Sequence, residues 1–169
     1  MKNLLSLTLL LVMSASTLFA QDGAKKNRKS PHETINGKNI SITYGRPYKK
    51  GRDIFGVLEP YGKVYRTGAD EATEITLKKN CVFGGKQLKA GTYTLFTIPG
   101  KDEFGVILNS VLNQWGAFGY DKVKDKNVLN ITVPVKHLDN PVEQLTFTIK
   151  DNGIQFEWDK TSIFIPVKF

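Results

Sequence analysis

The chain is organised around residues 44–73, which read YGRPYKKGRDIFGVLEPYGKVYRTGADEAT. Three of the four arginines and four of the six tyrosines of the sequence fall here: Arg46, Arg52, Arg66, Tyr44, Tyr48, Tyr61 and Tyr65. Lysine supplies nearly all of the other positive charge, so solubility alone does not require arginine. A guanidinium group is instead suited to two-pronged pairing with an acid and to stacking on a ring. This window is therefore interpreted as either a binding site or a clasp of the fold.

On both sides of the window the sequence alternates apolar and polar residues in short runs bounded by Gly, Pro, Asn and Asp, which is typical of β-strands. Residues 39–44 (NISITY), for example, place Ile40, Ile42 and Tyr44 on one face. The pattern predicts an all-β domain at residues 30–169. We expect a single antiparallel β-sandwich of about nine or ten strands, jelly-roll or immunoglobulin-like.

Three features predict local structure. Gly84-Gly85 predicts a tight hairpin turn, because two glycines adopt the positive φ angles of the primed turn types. Tyr93, which follows an Ala-Gly pair, is typical of the tyrosine corner of β-sandwiches and is interpreted as structural. Cys81 is the only cysteine and is predicted to be a core residue of a strand.

Two further predictions concern the loop inside the window and the C-terminal third. The apolar pairs Ile54-Phe55 and Val57-Leu58 are expected to pin an irregular crossing loop to the core. The C-terminal third is expected to form four separate strands: residues 128–135, 142–149, 154–158 and 162–169.

The first twenty residues are typical of a signal peptide, because Lys2 is followed by an apolar run at residues 4–13 and small residues at 14–20. The apolar run is too short to span a membrane as a helix. We therefore expect an exported protein, periplasmic or secreted, with no transmembrane segment after cleavage. Residues 21–29 contain four basic side chains and are expected to form a disordered basic leader.

Charge and histidine content argue against several classes of function. The formal net charge is +8, but no basic stripe with interleaved aromatics lies outside the window, so nucleic acid is not expected as a partner. His32 and His137 are the only histidines, and neither HExxH nor GxSxG occurs, so we expect no metal and no cofactor. The C-terminal Phe169 suggests an outer-membrane β-barrel as an alternative. Pro134 and Pro166 disfavour it, because they lie within predicted strands.

Arginines and aromatic residues of the window are the candidates for ligand binding. Arg46 and Arg52 are expected to converge on one anion-sized position. Tyr48 and Tyr61 would line the same cleft, with a phosphate, a sulfate or an acidic sugar as the ligand. Trp115, outside the window, is either a stacking platform or part of a lid. The same composition also fits an interface with an envelope protein, or a pure fold clasp.

Arg66, Asp70 and Glu71 form the second candidate group. They are interpreted as an ion pair that fastens the turn, because arginine–carboxylate pairs commonly serve structure. The alternative is a hydrolase-like enzyme in which Glu71 is the general base and Arg66 stabilises an anion. The favoured interpretation is a binding or envelope-associated module rather than an enzyme.

The window contains four short motifs, at residues 44–47 (YGRP), 51–56 (GRDIFG), 60–62 (PYG) and 66–73 (RTGADEAT). They resemble the motifs of an exported bacterial family catalogued as domain of unknown function 2911. Two positions depart from the family pattern, since Asp70 stands in place of an asparagine and Tyr65 in place of a tryptophan. The resemblance implies export and a shared fold, and it carries no established activity.

Overall fold

We describe residues 27–169 from a computed structural model, so the expected signal peptide at residues 1–20 and most of the expected leader, residues 21–26, lie outside the described residues. The described chain forms nine strands: β1 (His32–Asn36), β2 (Ile40–Gly45), β3 (Thr73–Leu77), β4 (Cys81–Phe83), β5 (Lys86–Leu88), β6 (Gly91–Ile98), β7 (Glu103–Asn109), β8 (Asn127–Lys150) and β9 (Gly153–Lys168). Two 3₁₀ turns, Tyr120–Lys122 and Lys124–Lys126, precede β8. The all-β prediction is confirmed. Within residues 27–169, no helix is long and apolar enough to cross a membrane.

All nine strands belong to one antiparallel sheet in the order β1-β2-β3-β6-β7-β8-β9-β4-β5, with β1 and β5 at its open edges. The sheet folds over itself along β8, which pairs with β7 as far as Pro134 and with β9 from Val135 onward. As a result Phe156 of β9 packs against Phe104 of β7, with ring centroids 6.5 Å apart. The two halves of the sheet therefore enclose one common core.

The C-terminal third differs from the prediction of four separate strands. Only the break at residues 151–152 is observed, between β8 and β9, whereas the other residues expected to separate strands, 136–141 and 159–161, belong to these two long strands. The pairing of these strands shifts register between His137 and Val142, and again between Val142 and Thr146. Such irregularities absorb unpaired residues while the backbone stays extended, so Asp, Asn and Pro do not end the strand here.

The three local predictions are confirmed. Gly84 and Gly85 have φ angles of +54° and +85°, as a primed turn requires. The hydroxyl of Tyr93 donates to the Lys89 carbonyl at 2.9 Å, which is the bond that defines a tyrosine corner. Cys81 is a buried core residue with a free thiol.

Candidate functional site

The loop between β2 and β3 is anchored by the first of its two apolar pairs. Ile54 is fully buried. The ring of Phe55 packs edge-on against Phe104 and Trp158, with centroids 5.0 and 6.0 Å away. This part of the prediction is confirmed, and it fixes the loop on the aromatic core.

The second apolar pair was predicted incorrectly. Val57 and Leu58 are 69% and 40% exposed. The reason is a tight turn in which the amide of Glu59 donates to the Ile54 carbonyl and the amide of Gly56 donates to the Glu59 carbonyl, both at 2.9 Å. This turn points Val57 and Leu58 away from the core and places Glu59 beside the window's arginines.

Arg46 joins β1 and β2 to β8. Its Nη1 lies 3.0 Å from a carboxylate oxygen of Glu33, and its Nε and Nη2 donate to the Leu145 carbonyl and the Thr146 hydroxyl at 3.2 and 3.0 Å. The guanidinium group also lies 6.0 Å from the centroid of the Tyr44 ring. Arg46 is therefore a clasp of the fold.

The glycines of two motifs allow the end of β2 to approach the turn at residues 66–70. A Cβ atom on Gly45 would lie 2.2 Å from the Ala69 carbonyl oxygen. On either side of this contact, Thr67 and Asp70 have φ angles of +56° and +64°. Few residues other than glycine adopt this left-handed region, and backbone strain of this kind is concentrated at functional sites.

Glu71 pairs with the segment that precedes β1. The Nε of Arg28 donates to both carboxylate oxygens of Glu71 at 3.0 Å, and His32 Nε2 lies 2.9 Å from one of them. Burial raises the pKa of Glu71, but the hydrogen bond from Arg28 and the charges of Arg28 and His32 outweigh it, so the pKa lies below its ordinary value. The interpretation that paired Glu71 with Arg66 is corrected: its partner is Arg28, 43 residues earlier in the chain.

The side chain of Asp70 binds backbone amides of the same segment. Its Oδ2 accepts hydrogen bonds from the amides of Lys29 and Ser30 at 3.1 and 3.0 Å. Its carbonyl accepts one from the amide of Gly116 at 2.9 Å. Asp70 thus connects the segment before β1 to the loop that carries Trp115.

A cleft of about 400 Å³ opens between these elements. We call it the main cleft and define it by six of its lining residues: Arg52, Glu59, Arg66, Trp115, Phe118 and Trp158. Trp115 and Phe118 are 41% and 85% exposed, whereas Trp158 is buried. Lys29 and Asp70 also line it, so the cleft combines two guanidinium groups and an ammonium group with two carboxyl groups and aromatic walls.

Arg66 carries the clearest indication of a missing partner. Its Nε is buried and has no hydrogen-bond partner in the described part of the chain. Its Nη1 lies under the neighbouring loop, since a Cβ atom on Gly116 would be 3.1 Å from it. The indole Nε1 of Trp158, another lining residue, is likewise buried without a partner among residues 27–169. Orphaned buried donors are rare in native proteins and call for an explanation.

Arg52 is only partly engaged. Its Nε and Nη2 donate to the carbonyls of Lys49 and Tyr48 at 2.8 and 2.6 Å, and the side chain remains exposed at the cleft. Because Arg46 is bound to β1 and β8, it does not share a position with Arg52 as expected. The pair of arginines that lines a common cleft is Arg52 with Arg66.

The remaining predicted site residues lie outside the main cleft. Tyr48 is 41% exposed and its backbone bridges to Gln144. Tyr61 is 40% exposed, and its ring lies against Gly56, where a Cβ atom would be 2.6 Å from it. Of the seven predicted residues, Arg52, Arg66 and Trp115 line the cleft. Sequence reasoning missed Glu59, Phe118 and Trp158 as site residues, although the first two lie in segments rich in arginine or aromatic residues.

Glu59 has an unusual protonation equilibrium. Partial burial raises its pKa from 4.5 to about 7, against the opposing charges of Arg66 and Arg52. Ionised Glu59 competes with any external anion for these arginines, whereas the neutral form leaves them available.

This equilibrium predicts how stability depends on pH. Because the folded state binds the proton of Glu59 more tightly than the unfolded state, stability falls as pH rises from about 4.5 to about 7. The residue is only partly buried, so we expect Glu59→Gln to stabilise the protein relative to wild type by about 1–2 kcal/mol more at pH 8 than at pH 5. Urea denaturation at the two pH values measures this difference. A gap between variant and wild type that is constant with pH would contradict the assignment.

The described residues do not contain a group of three or more His, Cys, Asp or Glu side chains placed to hold a metal ion. The main cleft carries the guanidinium groups of Arg52 and Arg66 and the carboxyl groups of Glu59 and Asp70.

Comparisons with known proteins place the chain in a family. Residues 26–167 match the family described as "Protein of unknown function (DUF2911)", so the chain belongs to it. The resemblance drawn from the four motifs is thereby confirmed. Neither the search of curated proteins nor the search of solved structures found a match.

Proposed function

We propose that this protein is an exported binding module that takes a small anionic ligand in the main cleft. The observation that carries the proposal is Arg66, which lines the open cleft and whose buried Nε has no hydrogen-bond partner among residues 27–169. An anion that accepts a hydrogen bond from this donor would satisfy it, and charge-assisted bonds of this kind are the stronger ones. Arg52 supplies a second positive charge at the same cleft.

The dimensions and walls of the cleft support a small molecule. A volume of about 400 Å³ lies within the range of small-molecule pockets, roughly 300–1,000 Å³. Trp115, Phe118 and Trp158 offer aromatic surface, and the arginine forks match carboxylate, sulfate and phosphate geometry. An acidic sugar or another ring-bearing acid would use both features.

The hydrolase-like alternative receives less support. Glu71, its general base, is engaged by Arg28 and His32 and does not line the main cleft. Asp70 lines the cleft, but its Oδ2 already accepts two backbone hydrogen bonds. Binding without catalysis therefore fits the arrangement of these carboxylates better.

Export rests on the signal-peptide pattern of residues 1–20, where a charged residue precedes an apolar run and small residues. It places the cleft in the periplasm or outside the cell. The intact mass of the exported protein should correspond to a chain that begins at Gln21. A mass that includes the first twenty residues would contradict cleavage.

A ligand screen tests the binding proposal. Wild-type protein is heated with 10 mM phosphate, sulfate or glucuronate at pH 6, where Glu59 is largely neutral, with chloride at matched ionic strength as the control. A ligand present at about 100 times its Kd stabilises the folded state by about 2.7 kcal/mol, which is a shift of several degrees. We expect at least one of the three anions to raise the Tm by two degrees or more over chloride. No shift with any anion would favour a protein interface at this surface instead.

A further inference from the structure

A second, smaller cavity of about 210 Å³ adjoins the main cleft. We call it the side pocket and define it by its lining residues: Glu59, Val64, Tyr65, Arg66, Ala117 and Phe118. Glu59, Arg66 and Phe118 line both cavities. The two cavities are therefore neighbours, and Arg66 stands at their junction.

The side pocket combines apolar surface with the charged side chains of Glu59 and Arg66. Val64, Ala117 and Phe118 contribute apolar surface, and the hydroxyl of Tyr65 is already used in a bond of 2.9 Å to the Gly68 carbonyl. Among the described residues that line it, only Glu59 and Arg66 carry charge, and both stand at the junction with the main cleft. A ligand group in this pocket would meet the apolar atoms of Val64, Ala117 and Phe118 beside the polar atoms at the junction.

The pocket is also held in shape by the fold. Val64 and Ala117 pack against a small buried cluster formed by Ala72, Phe96 and Ile107. This cluster is separate from the main core and connects β6 and β7 to the loop that carries Trp115. A pocket whose walls rest on buried side chains needs little reorganisation when a ligand enters, which favours binding.

We propose that the ligand of this protein is an acid that carries a compact apolar or aromatic group, whose anionic end meets Arg66 at the junction while its apolar end enters the side pocket. The inference rests on the proposed function, because it names the class of ligand for the same site. Phenyl phosphate is the simplest probe, since it differs from inorganic phosphate by one ring. Burial of that ring is expected to make phenyl phosphate bind at least about tenfold more tightly than inorganic phosphate.

Calorimetric titration at pH 6 with these two probes tests the inference. In wild type, phenyl phosphate is expected to bind at least about tenfold more tightly than phosphate. Ala117→Leu fills the side pocket and should reduce this ratio to about one. Phe118→Ser, at a side chain that is 85% exposed and so can be shortened without unfolding the protein, should reduce the ratio in the same direction. Val128→Leu, on an exposed part of β8 and outside the lining of both cavities, is the control for an added apolar group and should keep the wild-type ratio.

The outcomes distinguish the proposed anion site from the proposed ligand class. Equal affinity of wild type for phosphate and phenyl phosphate would overturn the ligand class and leave the anion site standing. An undiminished preference for phenyl phosphate in both Ala117→Leu and Phe118→Ser would place the ring elsewhere and overturn the side pocket. Binding of neither probe would refute the proposed function and this inference with it.

Discussion

Replacement of Arg66 by glutamine is expected to weaken the binding of inorganic phosphate by about 10- to 100-fold. A hydrogen bond to a charged group contributes about 1.5–3 kcal/mol, and each 1.4 kcal/mol is a tenfold change in affinity. The Nε of Arg66 has no hydrogen-bond partner among residues 27–169, so a ligand that binds it displaces no hydrogen bond of the described chain. Titration of wild type and variant with phosphate at pH 6 measures the effect.

Two controls accompany this variant. Arg66→Lys keeps the charge but loses the planar fork, and it should fall between wild type and Arg66→Gln. Because the Nε makes no hydrogen bond to any of residues 27–169, Arg66→Gln should leave the Tm without ligand unchanged or slightly raised. A variant that binds phosphate as wild type does would remove Arg66 from the site. A large loss of stability would assign it to the fold.

Arg46→Ala is expected to have the opposite signature, with a loss of stability of about 2–4 kcal/mol. The partly exposed pair with Glu33 contributes at most about 1 kcal/mol, and the hydrogen bonds to Leu145 and Thr146 add about 1.5 kcal/mol each. These contacts connect strands that are about 100 residues apart in sequence. Their loss should loosen the packing of β2 on β8.

Arg52→Ala provides the matched control for this second prediction. Arg52 is exposed, and its side-chain bonds reach only carbonyls within its own loop, so its removal should change the unfolding free energy by less than about 1 kcal/mol. Urea denaturation at one pH compares the two variants directly, with an unchanged m-value as the sign of a common unfolded state. Equal losses for Arg46→Ala and Arg52→Ala would contradict the distinction between clasp and cleft residues.

Features set by neighbouring residues could be predicted from the sequence. The alternation in residues 39–44 predicts β2, and Gly84-Gly85 predicts the turn between β4 and β5, because side-chain period and φ preference are local properties. The corner at Tyr93 is also local, since its acceptor lies four residues earlier.

Contacts between distant residues could not be predicted in the same way. The partner of Glu71 is Arg28, and the partners of Arg46 lie on β8, so neither pairing is indicated by proximity in the sequence. Proximity along the chain is therefore a poor guide to which charged side chains pair. Glu59 enters the cleft only because the turn at residues 54–59 closes on itself.

The presence of Asp70 where the family pattern has an asparagine has a physical explanation. Its φ angle of +64° lies in the left-handed region, which asparagine and aspartate adopt more readily than most residues. Either side chain also offers an oxygen to the amides of Lys29 and Ser30. Exchange between the two residues is thus compatible with the same turn, and the carboxylate does not by itself exclude an anion site beside Arg66.

The central claim is that the Nε–H group of Arg66 donates a hydrogen bond to the bound anion. The Nε–Hε resonance of Arg66 reports on this group directly. The sequence contains only four arginines, so a ¹H–¹⁵N spectrum has at most four such signals, which single Arg→Lys variants assign. On titration with inorganic phosphate at pH 6, the account predicts a large, saturable shift of the Arg66 signal and little change in that of Arg46. Saturable phosphate binding that leaves the Arg66 signal in place would contradict it.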